Sequence, residues 1–362
     1  MNADRLGQVA RALENSGSDL LLVTPSADLR YLTGYQALPL ERLTCLAVNS
    51  SGQAWLIVPL LERPAAEAAG VVDLGIEILS WQETQDPYAL LAQAVGPVRS
   101  PVVNNAMWVE KAHYLEAAFG LDVALADSIL SDIRMVKSSA EIAALHEAGA
   151  AIDEVHNQMG QWLRPGRTER EVGRDIAEAI IAAGHDTVDF VIVASGPNGA
   201  SPHHEVSDRI IQAGEPVVVD IGGTMPSGYC SDSTRMYACG EVEQEFADMY
   251  EVLKQAQGEA VAYARAGVTC ESVDAISRDI LADHDMAQYF IHRTGHGIGM
   301  ETHEEPYIVS GSTRLLEDGH AFSIEPGFYI PGRFGARIED IVTCWDGRVS
   351  SANNTTHDLV IL

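Results

Sequence analysis

The sequence predicts an α/β protein of two domains. A small N-terminal α/β domain is expected over residues 1–131, and a larger domain of two similar α+β halves over 132–362. Three observations lead there. The 362-residue length has room for two domains of the usual ~100–200 residues. Strand-like and helix-like stretches alternate through the first part of the chain. In the second part, Arg164-Pro165-Gly166-Arg167-Thr168 with Val172 returns 101 residues later as Arg265-Ala266-Gly267-Val268-Thr269 with Val273.

In the first domain, residues 20–24 form an apolar run stopped by Pro25-Ser26. Residues 44–48 and 55–58 flank Asn49-Ser50-Ser51-Gly52, a hairpin turn. Residues 65–69 and 89–94 read as helices. No constellation of catalytic residue types occurs here.

In the second domain, Ser138-Ser139-Ala140-Glu141 is a capping box that opens a helix. Ile142, Leu145, Ile152, Val155, Met159 and Leu163 keep helical spacing until Pro165-Gly166. Thr168-Glu169-Arg170-Glu171 is a second capping box, and Gly184 stops its helix. Gly214 precedes an apolar strand whose end is expected at Asp220, with Gly222-Gly223 and Pro226-Ser227-Gly228 in the following turn. Gly319 precedes a similar strand that ends in Glu325. Each strand is expected to turn back to a second carboxylate, Asp232 after 12 residues and Glu339 after 14.

Composition narrows the function. With 46% hydrophobic and 21% charged residues the chain reads as a soluble globular protein. Against 52 Asp+Glu stand only 23 Lys+Arg, a net charge of −29, which disfavours nucleic-acid backbones and anionic membranes as partners. No apolar run approaches the ~18 residues of a membrane span. The N-terminus shows no basic segment followed by an apolar core. The five cysteines, odd in number and without CxxC spacing, fit reduced thiols in a cytoplasm.

Four carboxylates brought together would carry about −4 and repel one another. Two divalent cations remove that repulsion, so the set reads as a dinuclear metal site. Along a strand Asp232 and Thr234 share a face, as do Arg337 and Glu339, and the Thr234 hydroxyl can brace a carboxylate. The stretch Thr294-Gly295-His296-Gly297-Ile298-Gly299-Met300-Glu301-Thr302-His303 surrounds an imidazole with glycines that permit close backbone approach. Oxygen-rich ligation with one His suits Mn²⁺ first, then Co²⁺, Zn²⁺ or Fe²⁺. HExxH, GxSxG, GxxxxGK[ST] and GxGxxG are all absent.

These motifs resemble the pita-bread metallopeptidases, the family of methionine aminopeptidase, aminopeptidase P and prolidase, over essentially all of 132–362. Asp28-Leu29-Arg30-Tyr31-Leu32-Thr33-Gly34 is similar to a turn in the N-terminal domain of the proline-specific branch. The resemblance implies a pita-bread catalytic domain and hydrolysis of the bond before proline, by an Xaa-Pro dipeptidase or aminopeptidase P. It implies Asp220, Asp232, His296, Glu325 and Glu339 as ligands of two metals, with Asp232 and Glu339 bridging. Glu325 is also implied as an acid–base group, His303 as an oxyanion donor, and His203, Tyr307 and Arg337 as pocket residues. His204 and His292 carry no such implication. The family also implies a homodimer. The chain departs from the family pattern in a longer 220–232 hairpin, in Met236, and in Tyr307, where some prolidases carry an Arg for the dipeptide carboxylate. That last departure predicts cleavage of short Xaa-Pro-Yaa peptides as well as Xaa-Pro. A creatinase-like metal-independent C–N hydrolase and a non-enzymatic binding module are the alternatives, and the complete ligand set argues against both.

Overall fold

The computed structural model describes residues 4–126 and 128–362. Residues 1–3, part of the N-terminal stretch read above for a leader, lie outside the described residues. The chain divides into two compact units, Met1–Arg134 and Met135–Leu362.

In the first unit the elements run α1 (Asp4–Ser16), β1 (Leu20–Val23), α2 (Ala27–Thr33), β2 (Cys45–Asn49), β3 (Ala54–Pro59), α3 (Arg63–Ala68), β4 (Glu77–Trp81), α4 (Pro87–Val95), β5 (Pro101–Val103), α5 (Val109–Phe119), β6 (Ala124–Leu125) and α6 (Ser128–Met135). The strands form one mixed sheet in the order β4-β3-β2-β1-β5-β6. The β2–β3 hairpin is held by Asn49, whose Oδ1 accepts from the N–H groups of Ser51 and Gln53. The 28–34 stretch, expected as a turn, is the body of helix α2. The Ser26 hydroxyl caps its start, and Gly34 ends it in the left-handed region at φ +73°.

The second unit contains α7 (Ser139–Asn157), α8 (Glu169–Ala182), β7 (Thr187–Ser195), β8 (Pro216–Thr224), β9 (Cys230–Ala238), α9 (Gln244–Tyr263), α10 (Cys270–Asp283), β10 (Gly295–Gly297), β11 (Glu304–Ile308), β12 (Ala321–Ile324), β13 (Gly327–Ile330), β14 (Phe334–Arg337), β15 (Asp340–Trp345), β16 (Arg348–Ser351) and β17 (Val360–Ile361). Both expected capping boxes form, at Ser138 with Glu141 and at Thr168 with Glu171. Helix α7 stops at Asn157, earlier than its apolar spacing suggests, and a short 3₁₀ turn over Met159–Gln161 completes the apolar face. Among the described residues no helix is long and apolar enough to cross a membrane. All five cysteines are buried and free.

Two sheets face inward, one from each half: β17-β9-β8-β7 and β11-β10-β12-β15-β16. Strand parity decides what each face does. Val217, Val219 and Ile221 pack with Val172, Ile176 and Ile180 of α8, whereas Val218 and Met236 pack with Phe328, Phe334 and Ala336 of the other half. Asp220 shares parity with Val218 and so points inward. In the second half Phe322 and Ile324 pack with Ala260 and Val273 of α9 and α10, which turns Ser323 inward.

Two expectations about the hairpins need correction. Asp220 lies in the middle of β8, not at its end, and Gly222-Gly223 remain in the strand. They are glycines because a Cβ at Gly222 would overlap the Phe190 ring, and one at Gly223 would overlap the Thr187 carbonyl oxygen. The turn falls at 225–229, on the expected Pro226-Ser227-Gly228 alone, closed by Met225 N–H to Tyr229 O. In the second half β12 does not turn straight back. The β13–β14 hairpin is inserted, so Glu325 and Glu339 sit at the junctions into and out of it, before β15 returns to pair Ile324 with Asp340.

Candidate metal centre

The antiparallel register of β8 and β9 sets Asp220 opposite Thr234 and Gly222 opposite Asp232. Both aspartates are therefore on the inward face, and both are buried. Glu339 reaches them from the second half, fixed by its N–H to Thr234 O at 3.3 Å and by the Thr234 hydroxyl, which donates to its Oε2 at 2.8 Å. His296 is held in β10 by its N–H to Ser323 Oγ at 3.0 Å. Its Nδ1 faces Gly297 O at 3.1 Å, which aims Nε2 at Glu325 Oε1, 3.1 Å away, with Asp232 Oδ2 at 3.7 Å. Glu325 is anchored by its own N–H to Thr294 O and by the Ser323 hydroxyl.

Among the described residues three groups of side chains have ligand atoms within 4.8 Å of one another: Asp220, Asp232 and Glu339; His296, Glu325 and Glu339; and Asp232, His296 and His303. Glu339, Asp232 and His296 each belong to two of them. Two buried oxygens, Asp220 Oδ1 and Glu339 Oε1, have no hydrogen-bond partner. Uncompensated carboxylate oxygens in a protein interior are costly, and cations in the cluster would satisfy them. The donor set of four carboxylates and an imidazole fits hard or borderline divalent ions.

The fold is matched by relatives over its whole length. Residues 143–345 match the model of metallopeptidase family M24, and residues 5–136 match the creatinase/prolidase N-terminal domain. The chain belongs to metallopeptidase family M24. It is 48% identical to the probable dipeptidase PepE of Mycobacterium tuberculosis, over 99% of this chain and 96% of that one. It is 34% identical to the Xaa-Pro dipeptidase of Lactobacillus helveticus, over 100% and 99%. The crystal structure of dipeptidase PepE from Mycobacterium ulcerans, 49% identical, superposes with a TM-score of 0.94 over 99% of this chain and 97% of that one.

The electrostatics of this M24 site follow from crowding. Burial and the charges of Glu339, Asp220 and Glu325 push Asp232 well above the carboxylate range. Burial and the charges of Glu325 and Asp220 do the same to Glu339. Burial raises Asp220 less, because Arg337 opposes it. Burial is the largest influence on Glu325 and pushes it up, but the His296 hydrogen bond together with the charges of His296, His292 and Arg337 outweighs it and holds Glu325 down at about 2. Desolvation and the His296 ring, 4.0 Å away between centroids, lower His303 to about 4, so it is neutral at pH 7.

Arg337, expected among the pocket residues, is buried with its donors directed into the cluster. It contacts Asp220, the Thr234 hydroxyl at 3.0 Å, the Tyr329 hydroxyl at 2.8 Å and Pro202 O at 3.5 Å. His203 and His303 are both exposed. Tyr307 lies in β11 beneath the Arg293 guanidinium, 4.2 Å from the ring centroid, and the Arg293 charge is felt at His303. Sequence reading passed over Arg293, although it stands three residues before His296 in the glycine-rich stretch. It also passed over His292, whose Nε2 meets the Tyr329 hydroxyl at 2.9 Å. No motif marks Tyr329, because its link to Arg337 exists only once β13 and β14 pair.

Proposed function

We propose that this M24 metallopeptidase is a two-metal Xaa-Pro exopeptidase that acts on dipeptides in preference to longer peptides. The observation that carries the two-metal reading is that two of the three residues shared between ligand groups, Glu339 and Asp232, are carboxylates, whose two oxygens can serve two ions where the third, His296, offers one nitrogen. Asp220 and Asp232 would hold one ion with Glu339, and His296 and Glu325 the other, with Glu339 and Asp232 common to both. Mn²⁺ suits this donor set best. When bound, such ions lower the pKa of a water and polarise the scissile carbonyl. Glu325, the least buried of the four carboxylates, takes the water's proton and returns it to the leaving nitrogen. Neutral His303 donates an N–H to the developing oxyanion. The substrate's free amine lies beside Asp220, and His203 closes the pocket over the proline. Arg337 serves the carboxylates and leaves substrate contact to Tyr307 and its partner Arg293. The complete ligand set opposes a creatinase-like or purely binding role. We also infer two domains, 1–131 and 132–362, and a homodimer as the family resemblance implies; the five free cysteines support a cytoplasmic location.

Dipeptide preference rests on Arg293. Tyr307 removes the Arg that some prolidases use, but it carries another guanidinium on its ring. A charge-assisted hydrogen bond of ~1.5–3 kcal/mol to the C-terminal carboxylate corresponds to roughly ten- to a hundred-fold in kcat/KM. The test is a panel of Ala-Pro, Ala-Pro-Ala and Ala-Ala on metal-loaded, metal-stripped and Arg293→Met protein. Ala-Pro should lead, stripping should abolish turnover, and Arg293→Met should bring Ala-Pro down to the level of Ala-Pro-Ala. Equal turnover of Ala-Ala would remove the proline reading. Equal turnover of Ala-Pro-Ala by the wild type would instead support an open pocket and aminopeptidase P activity.

A further inference from the structure

Behind the His203 segment lies a carboxylate that the proposed chemistry does not use. Glu169, the first residue of α8, has a fully buried side chain. Its Oε1 accepts from Ser195 N–H at 2.8 Å, the Ser195 hydroxyl at 2.7 Å and Asn198 Nδ2 at 3.0 Å. Its Oε2 accepts from the Ser207 hydroxyl at 2.6 Å, Ser207 N–H at 3.3 Å and Asn198 Nδ2 at 3.1 Å, and faces His204 Nε2 at 2.8 Å. One carboxylate thus gathers both ends of the 195–207 segment. The short span between Asn198 and His204 contains His203. Its other side rests on the second half, where a Cβ at Gly335 would overlap Gly199 O and one at Gly199 would crowd Gly335 N at 3.2 Å, and Pro202 O meets Arg337.

The duplication supplies an internal control. Glu169 N–H bonds Arg209 O and Arg170 N–H bonds Ser207 O; in the second half Cys270 N–H bonds Arg314 O and Glu271 N–H bonds Ser312 O. Cys270 therefore occupies the place of Glu169, buried and neutral, with Ser312 as its side-chain partner. The scaffold tolerates an uncharged residue at this helix start. The buried charge occurs in the half that carries His203, where an irregular segment must be held still. Hydrogen bonds to a charged acceptor are stronger than neutral ones and suit that task.

We infer that Glu169, assisted by His204, is a positioning residue that fixes His203 over the carboxylate cluster. This rests on the reading of His203 as the group that closes the proline pocket. The test is a double-mutant cycle on metal-loaded protein, with Glu169→Gln and His204→Ala each made alone and with His203→Ala. Displacing a substrate-positioning group by about 1 Å costs on the order of a hundred-fold. Glu169→Gln should therefore lose ~10–100-fold in kcat/KM for Ala-Pro, and His204→Ala several-fold, with metal content retained. Either change should cost less than about twofold once His203 is alanine; losses that add in full would overturn the inference. Amide hydrogen exchange gives a second readout, independent of turnover. Faster exchange confined to residues 196–207 in His204→Ala or Glu169→Gln supports the anchoring, and unchanged exchange overturns it. Failure of the proline reading would appear separately, as wild-type turnover of Ala-Ala equal to Ala-Pro.

Discussion

Replacing Thr234 by valine should weaken metal binding by about ten- to a hundred-fold without unfolding the protein. Valine matches threonine in shape and suits a central strand, so β9 keeps its pairing with β8. What is lost is one fully buried hydroxyl with two partners. It donates to Glu339 Oε2 at 2.8 Å and accepts from Arg337 Nε at 3.0 Å. Both partners are charged, and such bonds contribute ~1.5–3 kcal/mol each. Part of that is lost equally with and without metal. The part felt in binding is the freedom given to a shared ligand, and outer partners of ligands are typically worth 10–100-fold in affinity. Separately, Arg337 Nε is left as a buried unpaired donor at ~1–3 kcal/mol. The melting temperature of the stripped protein should fall by about 2–4 °C for each kcal/mol in a domain of this size.

The assay is competition for Mn²⁺ or Co²⁺ with a chromophoric chelator, run on wild type, Thr234→Val and Thr234→Ser. The serine variant keeps the hydroxyl and should stay within a few-fold of wild type. A valine variant that bound metal within twofold of wild type would refute the bracing argument and make Thr234 a packing residue only.

Two further predictions concern ligand identity and charge. His296→Ala should lose metal, whereas His303→Ala should keep it and lose ~10²–10³-fold in kcat; because His303 also lies in a possible ligand group, metal loss in His303→Ala with two ions kept in His296→Ala would reverse the assignment. Between pH 8 and pH 5.5 stripped wild type should gain melting temperature relative to a stripped Asp232→Asn/Glu339→Gln variant, a comparison in which the buried histidines lowered by desolvation, such as His156, His185 and His320, cancel. Asp220, Asp232 and Glu339 have pKa values raised on folding, so their contribution is full below about pH 4 and is lost as pH rises through the raised values. Glu325, lowered to about 2, has the opposite sign, and its contribution is lost only in stronger acid. Metal loading should cancel the wild-type advantage at low pH, and identical pH dependence in stripped wild type and variant would contradict it.

The sequence revealed most where a residue type is costly in its local setting. An aspartate in Val217-Val218-Val219-Asp220 is such a case, and so are both capping boxes, whose hydrogen bonds are local. It was misleading about glycine. Gly222-Gly223 look like a turn, but they stay in β8 because neighbouring atoms fill the space a Cβ would need. It was silent where a role depends on proximity across the fold. Arg293 matters because Tyr307 lies beneath it, and Glu169 because Ser195, Asn198, His204 and Ser207 close around it. Short-range pattern cannot report those meetings.

The duplication explains why a site of this kind can be built from ordinary parts. Gly166 N–H bonds Ile211 O, and Gly214 N–H bonds Cys239 O; Gly267 N–H bonds Leu316 O, and Gly319 N–H bonds Cys344 O. The Gly214/Gly319 register is 105 residues, the same interval that separates Asp220 from Glu325. Each half thus delivers a carboxylate six residues after its glycine, from within β8 in the first and from just past the end of β12 in the second. The halves then diverge in how a helix carboxylate steadies a histidine-bearing segment. In the first, Glu169 of α8 holds the segment of His203. In the second, Asp274 of α10 accepts from Thr294 N–H at 3.0 Å and pairs with Arg278, which in turn holds His292 O just before His296. Asp274 corresponds to Gly173 at the 101-residue interval, as Cys270 does to Glu169. Neither anchor has its counterpart in the other half. A symmetric frame fixes where the carboxylates meet, and the asymmetric anchors hold different segments in the two halves, the one carrying His203 in the first and the one leading to His296 in the second.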